Sequence, residues 1–228
     1  MTALTAEHGV LDALAHGRYS CRAFRPDPVP REQLEAVFRT AQRAASWCNA
    51  QPWQVTVASG ETLARLRAAL AERLVDPAPP QPDLPWPAAY EGVYQQRRRE
   101  CGLGLYDAVG IARGDREASA RQAALNYTMF GAPHVAVITS DAALGVYGAV
   151  DCGAFVSQCL LAAHSLGLGS IAQAALAAYP EVLRSVLDLP SGRPVVCALS
   201  LGWPDLDHPA NRFRTGRAAL DEAVQWRD

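Results

Sequence analysis

Lysine is absent from this chain: all of its 21 basic residues are arginines, set against 23 acidic ones for a formal net charge of −2. That balance excludes a general electrostatic attraction to nucleic acid or to anionic membrane. Among the six cysteines there is no Cys-x-x-Cys pair, and they keep no metal-ligand rhythm with the five histidines, so no metal site is expected. Cys152 and Cys159, seven apart on one expected helix, stand about 10 Å apart by helical rise and cannot be bridged. No run reads as the roughly 20 apolar residues that a bilayer crossing needs. The N-terminus shows no basic region ahead of a compact apolar block, as a secretory signal would. Reduced thiols in a cytoplasmic chain are the expectation. What is present is ordinary globular composition, 228 residues with half of them hydrophobic and 19% charged, enough for one large domain with a real core.

The pattern along the chain reads as α+β. A short helix over 6–16 closes at Gly17, and an irregular, arginine-rich segment with three prolines follows. Pro30 falls at a natural first helical position, with Leu34, Val37, Phe38 and Ala41 at helical spacing behind it. "WQVTVAS" alternates like a strand and "ETLARLRAALAERL" like an amphipathic helix. Residues 76–87 carry too many prolines for either state. Two polar helices are expected around 88–108 and 115–129, then a strand in "PHVAVITS". Residues 148–166 read as a buried helix, small and apolar on nearly every face. A glycine-led turn into a weak strand, a helix over 179–187 and the strand "RPVVCALSLGW" complete the core. From Pro204 on the chain has little core of its own. With no repeat and no convincing linker, it reads as one domain over 1–228, with 76–130 inserted as a helical flap.

Two arginine pairs stand out. Arg18 and Arg22 flank Ser20, and Arg212 and Arg214 sit in "NRFRTGR"; members of a pair alternating in extended backbone project to one side. Two such loops can clamp a phosphate through charge-assisted hydrogen bonds, with the Ser20 hydroxyl as a further donor; solvated loop arginines are the plain alternative. In "ASWCNAQPW", Asn49 and Gln51 offer donors and acceptors suited to the edge of a heteroaromatic ring. "GSIAQAA" offers backbone N–H groups and small side chains that let a flat ligand approach. Together these parts fit a phosphorylated aromatic cofactor. Cys48 has no histidine near it in sequence to act as its base and is not expected to be a nucleophile. His134 and His164 lie in apolar runs and read as core or interface residues.

The segment "RYSCRAFRPDPVPREQLEAVFRTAQRAASWCNAQPWQV" resembles the opening of the FMN-dependent nitroreductase family, whose pattern is Arg-x-Ser-x-Arg, a helix, then Ser-x-x-Asn-x-Gln-Pro-Trp. "HSLGLGSIAQAALAAYPEVLRSVLDLP", "VVCALSLGWPD" and "NRFRTGR" match its end. The resemblance implies a mostly antiparallel central sheet wrapped by helices, in an intertwined homodimer with FMN at the interface and the 204–228 tail embracing the partner. It implies that Arg18, Tyr19 and Ser20 meet the phosphate and ribityl region, that Arg22 reaches the N1/O2 side of the flavin, and that Arg212 and Arg214 complete the phosphate clamp. It further implies that Asn49 and Gln51 meet the ring edge, chiefly of the partner's flavin. Ala172, Gln173, Ala174 and Ala175 would lie against the ring, with a backbone N–H near N5. Trp53 is expected as the packing anchor of the loop. Trp47, Tyr94, Arg97, Tyr127 and Phe130 are the expected substrate-facing side chains, most of them in the 76–130 cap. The implied reaction is hydride transfer from NAD(P)H through the flavin to a flat small-molecule acceptor by a ping-pong sequence. Dehydrogenation with oxygen, reductive dehalogenation and FMN binding without turnover stay open as alternatives.

Overall fold

The computed structural model describes residues 5–75 and 79–227. Four strands, β1 (Gln54–Ser59), β2 (His134–Thr139), β3 (Gly169–Gln173) and β4 (Val195–Gly202), form one sheet in the order β1-β2-β4-β3, every neighbouring pair antiparallel. Around it lie helices α1 (Ala6–Gly17), α2 (Arg31–Ala41), α3 (Gly60–Val75), α4 (Gly92–Ala108), α5 (Arg116–Ala124), α6 (Gly145–Ser165), α7 (Pro180–Leu187) and the single turn α8 (Leu220–Ala223). The α+β class and the antiparallel sheet are as the sequence leads one to expect.

Helices on both faces explain why β2, "HVAVIT", is buried at every position. Alternate side chains enter opposite cores. Val135 and Val137 join Leu63, Leu66 and Leu70 of α3 with Leu183 of α7. Ala136 and Ile138 join Val37 of α2 with Phe155 and Cys159 of α6. Trp53, just before β1, is the expected packing anchor: it is buried, stacks on Phe155 with ring centroids 4.9 Å apart, and donates its indole N–H to Gln42 Oε1 at 2.8 Å.

Several boundaries shift for local reasons. Pro30 is the residue before α2, its ψ of 139° extended and so not yet helical. The second polar helix stops at Ala124; Leu125–Gly131 continues as 3-10 turns through left-handed Met129 and Phe130, at φ 55° and 54°. Residues 76–78 of the proline stretch lie outside the described residues. The part from 79 on is irregular and tied down by Asp83, whose carboxylate accepts from Arg184 Nη2 at 2.6 Å and from the Val195 N–H at 2.8 Å. All six cysteines are free thiols.

One expectation is corrected. Residues 142–165 are, by length and a mean hydropathy of 1.4, apolar enough to cross a bilayer. From sequence alone, 148–166 reads as a buried helix and not as a span. In the fold, α6 uses one side, with Cys152, Phe155 and Cys159, as core against α2 and the sheet. Its opposite side exposes Val146, Tyr147 and Val150 at 77%, 58% and 58%.

Candidate functional site

The first arginine loop is built onto the β3 edge of the sheet. Ser20 and Ser170 form a parallel bridge, and the Cys21 N–H donates to the Ser170 carbonyl at 3.0 Å. The tail closes over the same loop: Phe24 bridges Pro204, and the Asp205 N–H donates to the Ala23 carbonyl at 3.1 Å. Buried Asn211 staples the two. Its Oδ1 accepts the Arg22 N–H at 2.7 Å, while its Nδ2 donates to the carbonyls of Ala23 at 2.8 Å and Asp205 at 2.7 Å. Asn211 is a positioning residue that the sequence reading missed, although it heads the "NRFRTGR" run.

Between loop and tail opens a cleft of about 610 Å³, lined by Arg18, Tyr19, Ser20, Arg22, Arg214 and Arg217, with Cys101 of α4 and Phe213 as apolar walls. Its volume sits within the roughly 300–1,000 Å³ typical of cofactor sites. No carboxylate is among the described residues lining it. Burial, with Arg217 beside it, holds the Arg18 guanidinium below its ordinary pKa, and burial does the same to Arg22. His164 is also pushed down, by burial first and then by Arg18 and Arg214. A Cβ on Gly17 would come within 2.6 Å of His164 Nε2, so glycine there lets the imidazole sit close to the cations. Arg214 lies 3.8 Å over the Tyr19 ring, whose buried hydroxyl has no hydrogen-bond partner among the described residues. Arg214 Nη1 donates to the Asn211 and Phe213 carbonyls and Arg22 Nη1 to the Ser20 carbonyl, which uses few of the five donors each guanidinium carries. Four mutually repelling cations with spare donors and no acid between them make an anion site. An orphaned phenol and apolar walls beside that site fit a phosphate monoester carrying an aromatic group.

Arg212 is not one of the four. It follows a 3-10 turn in helical backbone and points to Asp207 at 3.9 Å, so the extended alternation assumed for 212 and 214 does not hold. Arg217 lines the cleft where Arg212 was expected.

The ring-side residues divide. Ala172 and Ala174 are exposed and Ala175 half-buried at the end of β3, but Gln173 is buried, donating to the Asn126 carbonyl at 3.0 Å and accepting from the Ser200 hydroxyl. Asn49 and Gln51 are exposed and do not line the cleft of their own chain. Their loop is strained: Cys48, Asn49 and Gln51 stand at φ 50°, 57° and 48°, conformations costing about 1–3 kcal/mol each for a side-chain-bearing residue. Helix α6 holds it in place. Both Asp151 carboxylate oxygens lie 3.2 Å from the Trp47 N–H, and Trp47 packs edge-on to Tyr147 at 4.3 Å. Asp151, buried and the one carboxylate on α6, is the second positioning residue that sequence reasoning missed.

Of the expected substrate-facing side chains, Trp47 and Tyr94 are exposed at 58% and 66%, and Arg97 pairs with Glu222 of α8 at 3.1 Å. Phe130 is corrected: the left-handed turn after α5 drives it into the core. Tyr127 is half-buried beside Tyr179. His134 is a core residue, as expected: Nε2 accepts the Val29 N–H at 2.8 Å, which leaves the proton on Nδ1 to donate to Ser59 Oγ. Burial lowers its pKa.

The α+β sheet with this cleft on its edge strand is of the nitroreductase fold, and the chain belongs to the nitroreductase family: the model of that family matches residues 15–203. The nitroreductase NfnB of Mycolicibacterium smegmatis is 34% identical over 220 residues, 94% of this chain and 92% of that protein. A 4-nitrobenzoate reductase of Pseudomonas putida is 33% identical over 90% of each chain. The crystal structure of the FMN-dependent nitroreductase NfnB from Mycobacterium smegmatis in complex with NADPH superposes with a TM-score of 0.92, at 33% identity, covering 97% of this chain and 100% of that one.

Proposed function

We propose that this chain is an FMN-dependent oxidoreductase that passes a hydride from NAD(P)H to a small, flat, oxidised acceptor such as a nitroaromatic or a quinone. The observation that carries this reading is the convergence of Arg18, Arg22, Arg214 and Arg217 on a cleft without a carboxylate, in a chain of the nitroreductase family. FMN held in this cleft would supply the hydride chemistry that links donor and acceptor.

The protein's part is binding and electrostatics. Arg18, Arg214 and Arg217, with the Ser20 hydroxyl, hold the phosphate. Arg22 is the more deeply buried cation and its backbone is locked by Asn211, which suits it to stabilise negative charge on the N1/O2 side of the ring. The backbone of Ala172–Ala175 would lie along the ring; with Ala172 and Ala174 exposed there, no bulky side chain blocks a flat ligand. Asn49 and Gln51 act on the cofactor of a second copy, which explains a strained, outward loop that misses its own cleft. The working form is therefore a homodimer. The apolar outer side of α6, the unpaired edge of β1, and Leu220 and Trp226, exposed at 68% and 75% on a tail without core, support it. The 76–130 segment serves as the cap over the acceptor, and six free thiols suit a reducing cytoplasm.

Initial rates with NADPH and 4-nitrobenzoate test this. Parallel double-reciprocal lines are expected, because nicotinamide and acceptor use one place in turn. Converging lines contradict the shared cavity, and FMN binding without turnover leaves a flavin-binding protein. A stable, flavin-loaded monomer by light scattering at micromolar concentration contradicts the dimer.

A further inference from the structure

The left-handed turn through Cys48, Asn49 and Gln51 is strained, and strain of that kind persists only where the surroundings hold it. Asp151 holds the leading end, at the Trp47 N–H. Within the loop, the Asn49 N–H donates to the Ser46 carbonyl and the Gln51 N–H to Ser46 Oγ, each at 3.0 Å. Those bonds close the turn on itself and tie it to nothing outside. The trailing end is Pro52. Strand β1 begins only at Gln54, opposite Thr139 of β2, so the Pro52 carbonyl lies outside the sheet ladder.

Arg193 takes that carbonyl. Its side chain, 13% exposed, reaches across 141 positions of sequence, and Nη2 donates to the Pro52 oxygen at 2.6 Å. The same guanidinium is pinned to the end of β2: Nε donates to Thr139 Oγ1 at 3.1 Å and Nη2 to the Thr139 carbonyl at 3.3 Å. Asp141 stands 3.7 Å from Nη1. The backbone aims the side chain there. Register between β2 and β4 slips at Ile138/Thr139, a bulge of the kind that bends a strand and re-aims its side chains. Ahead of β4 the turn is closed by the Arg193 N–H on the Pro190 carbonyl at 3.2 Å, and the Arg193 carbonyl accepts from Arg184 at 3.3 Å. A planar fork held at Nε as well as Nη2 has one setting, which a flexible cation would lack.

We infer that Arg193 is a positioning residue for the flavin-edge loop: it fixes the Pro52 end of the strained turn and so sets how Asn49 and Gln51 meet the ring. The loop is then braced by opposite charges, a carboxylate on its leading N–H and a guanidinium on its trailing carbonyl. Arg193 does not line the arginine cleft, so it acts on the ring edge and not on the phosphate. The inference rests on the proposed reading that Asn49 and Gln51 act on the cofactor of a second copy, and adds to it the residue that aims them.

The test compares four FMN-loaded proteins: wild type, Arg193→Ala, Asn49→Ala/Gln51→Ala, and the triple combination. Hydrogen exchange at the Asn49 and Gln51 amides should accelerate at least tenfold in Arg193→Ala, because the turn opens more often. FMN affinity should stay within a few-fold. The flavin midpoint potential should move in the same direction, and by a similar amount, in Arg193→Ala and in Asn49→Ala/Gln51→Ala. The triple variant should move no further, since residues acting through one element are not additive. Arg193→Lys keeps the cation without the fork; it should accelerate exchange less and leave the potential nearer wild type. That variant carries the comparison if circular dichroism shows the alanine protein unfolded. Unchanged exchange overturns the inference. So does an additive shift in the triple variant, or a potential that Asn49→Ala/Gln51→Ala moves and Arg193→Ala does not. If Asn49→Ala/Gln51→Ala itself leaves the potential unmoved, the loop meets no flavin, and its part in the proposed reading falls together with the inference.

Discussion

Removing one cation from the arginine cleft separates binding from folding. In Arg18→Ala the protein loses a half-buried guanidinium that is already disfavoured by burial and by Arg217. No described carboxylate loses a partner, because none pairs with Arg18 in the cleft. The variant's thermal midpoint without flavin should therefore hold or rise, relieved of one like charge. FMN should behave oppositely. Hydrogen bonds to charged groups contribute roughly 1.5–3 kcal/mol each, and partial exposure of Arg18 favours the lower part of that range through solvent screening. At about 1.4 kcal/mol per tenfold, FMN affinity should weaken about 10- to 40-fold. Riboflavin, which has no phosphate, should bind wild type poorly and be indifferent to the change. Dissociation constants from quenching of flavin fluorescence, measured for both ligands on both proteins, decide the matter. If Arg18→Ala weakens riboflavin as much as FMN, the cleft does not hold the phosphate and the clamp is misplaced.

Other consequences follow from neighbouring residues. Arg22→Ala should retain FMN within a few-fold but lower the flavin midpoint potential, since the lost cation favours the reduced, negatively charged ring; spectroelectrochemistry reads this, and an unchanged potential contradicts the role. Asp151→Ala removes the acceptor for the Trp47 N–H, so amide exchange at Trp47 should accelerate at least tenfold while Asp151→Asn, which keeps a carbonyl, changes it less; equal effects in both deny Asp151 its hold on the loop. His134 has a pKa pushed below its ordinary 6.5 by burial. As pH falls below that value the unfolded chain takes up a proton that the folded one refuses, so stability declines until the folded pKa is passed and then levels off. Urea midpoints between pH 7.5 and 5 should slope less in His134→Gln, with His164 supplying part of the remaining slope; an identical slope refutes the assignment.

The sheet and most helices were legible because periodicity and burial agree. Leu63, Leu66 and Leu70 share one face of α3, and the unbroken run in β2 is what a strand covered on both sides needs. The loops were legible by residue type but not by direction. Arg18, Tyr19, Ser20, Arg22 and Arg214 do converge, whereas Arg217 lines the cleft in place of Arg212, because a 3-10 turn resets the backbone that an alternation argument takes as extended. Phe130 reads as an exposed cap aromatic, and its left-handed backbone sends it inward; no local rule announces a bulky residue in that conformation. Asn211 and Asp151 act over 189 and 104 positions of separation. Each is one polar residue among many until the fold supplies its partner.

The central claim, that the cleft serves an FMN cofactor cycling between a nicotinamide donor and an oxidised acceptor, is tested most directly by an anaerobic titration of the purified, flavin-loaded protein. One equivalent of NADPH per flavin should bleach the visible absorbance completely, and 4-nitrobenzoate or a quinone added afterwards should restore it with no further donor present. Flavin that stays oxidised under excess NADPH, or that bleaches but is not reoxidised by any flat acceptor, contradicts the account.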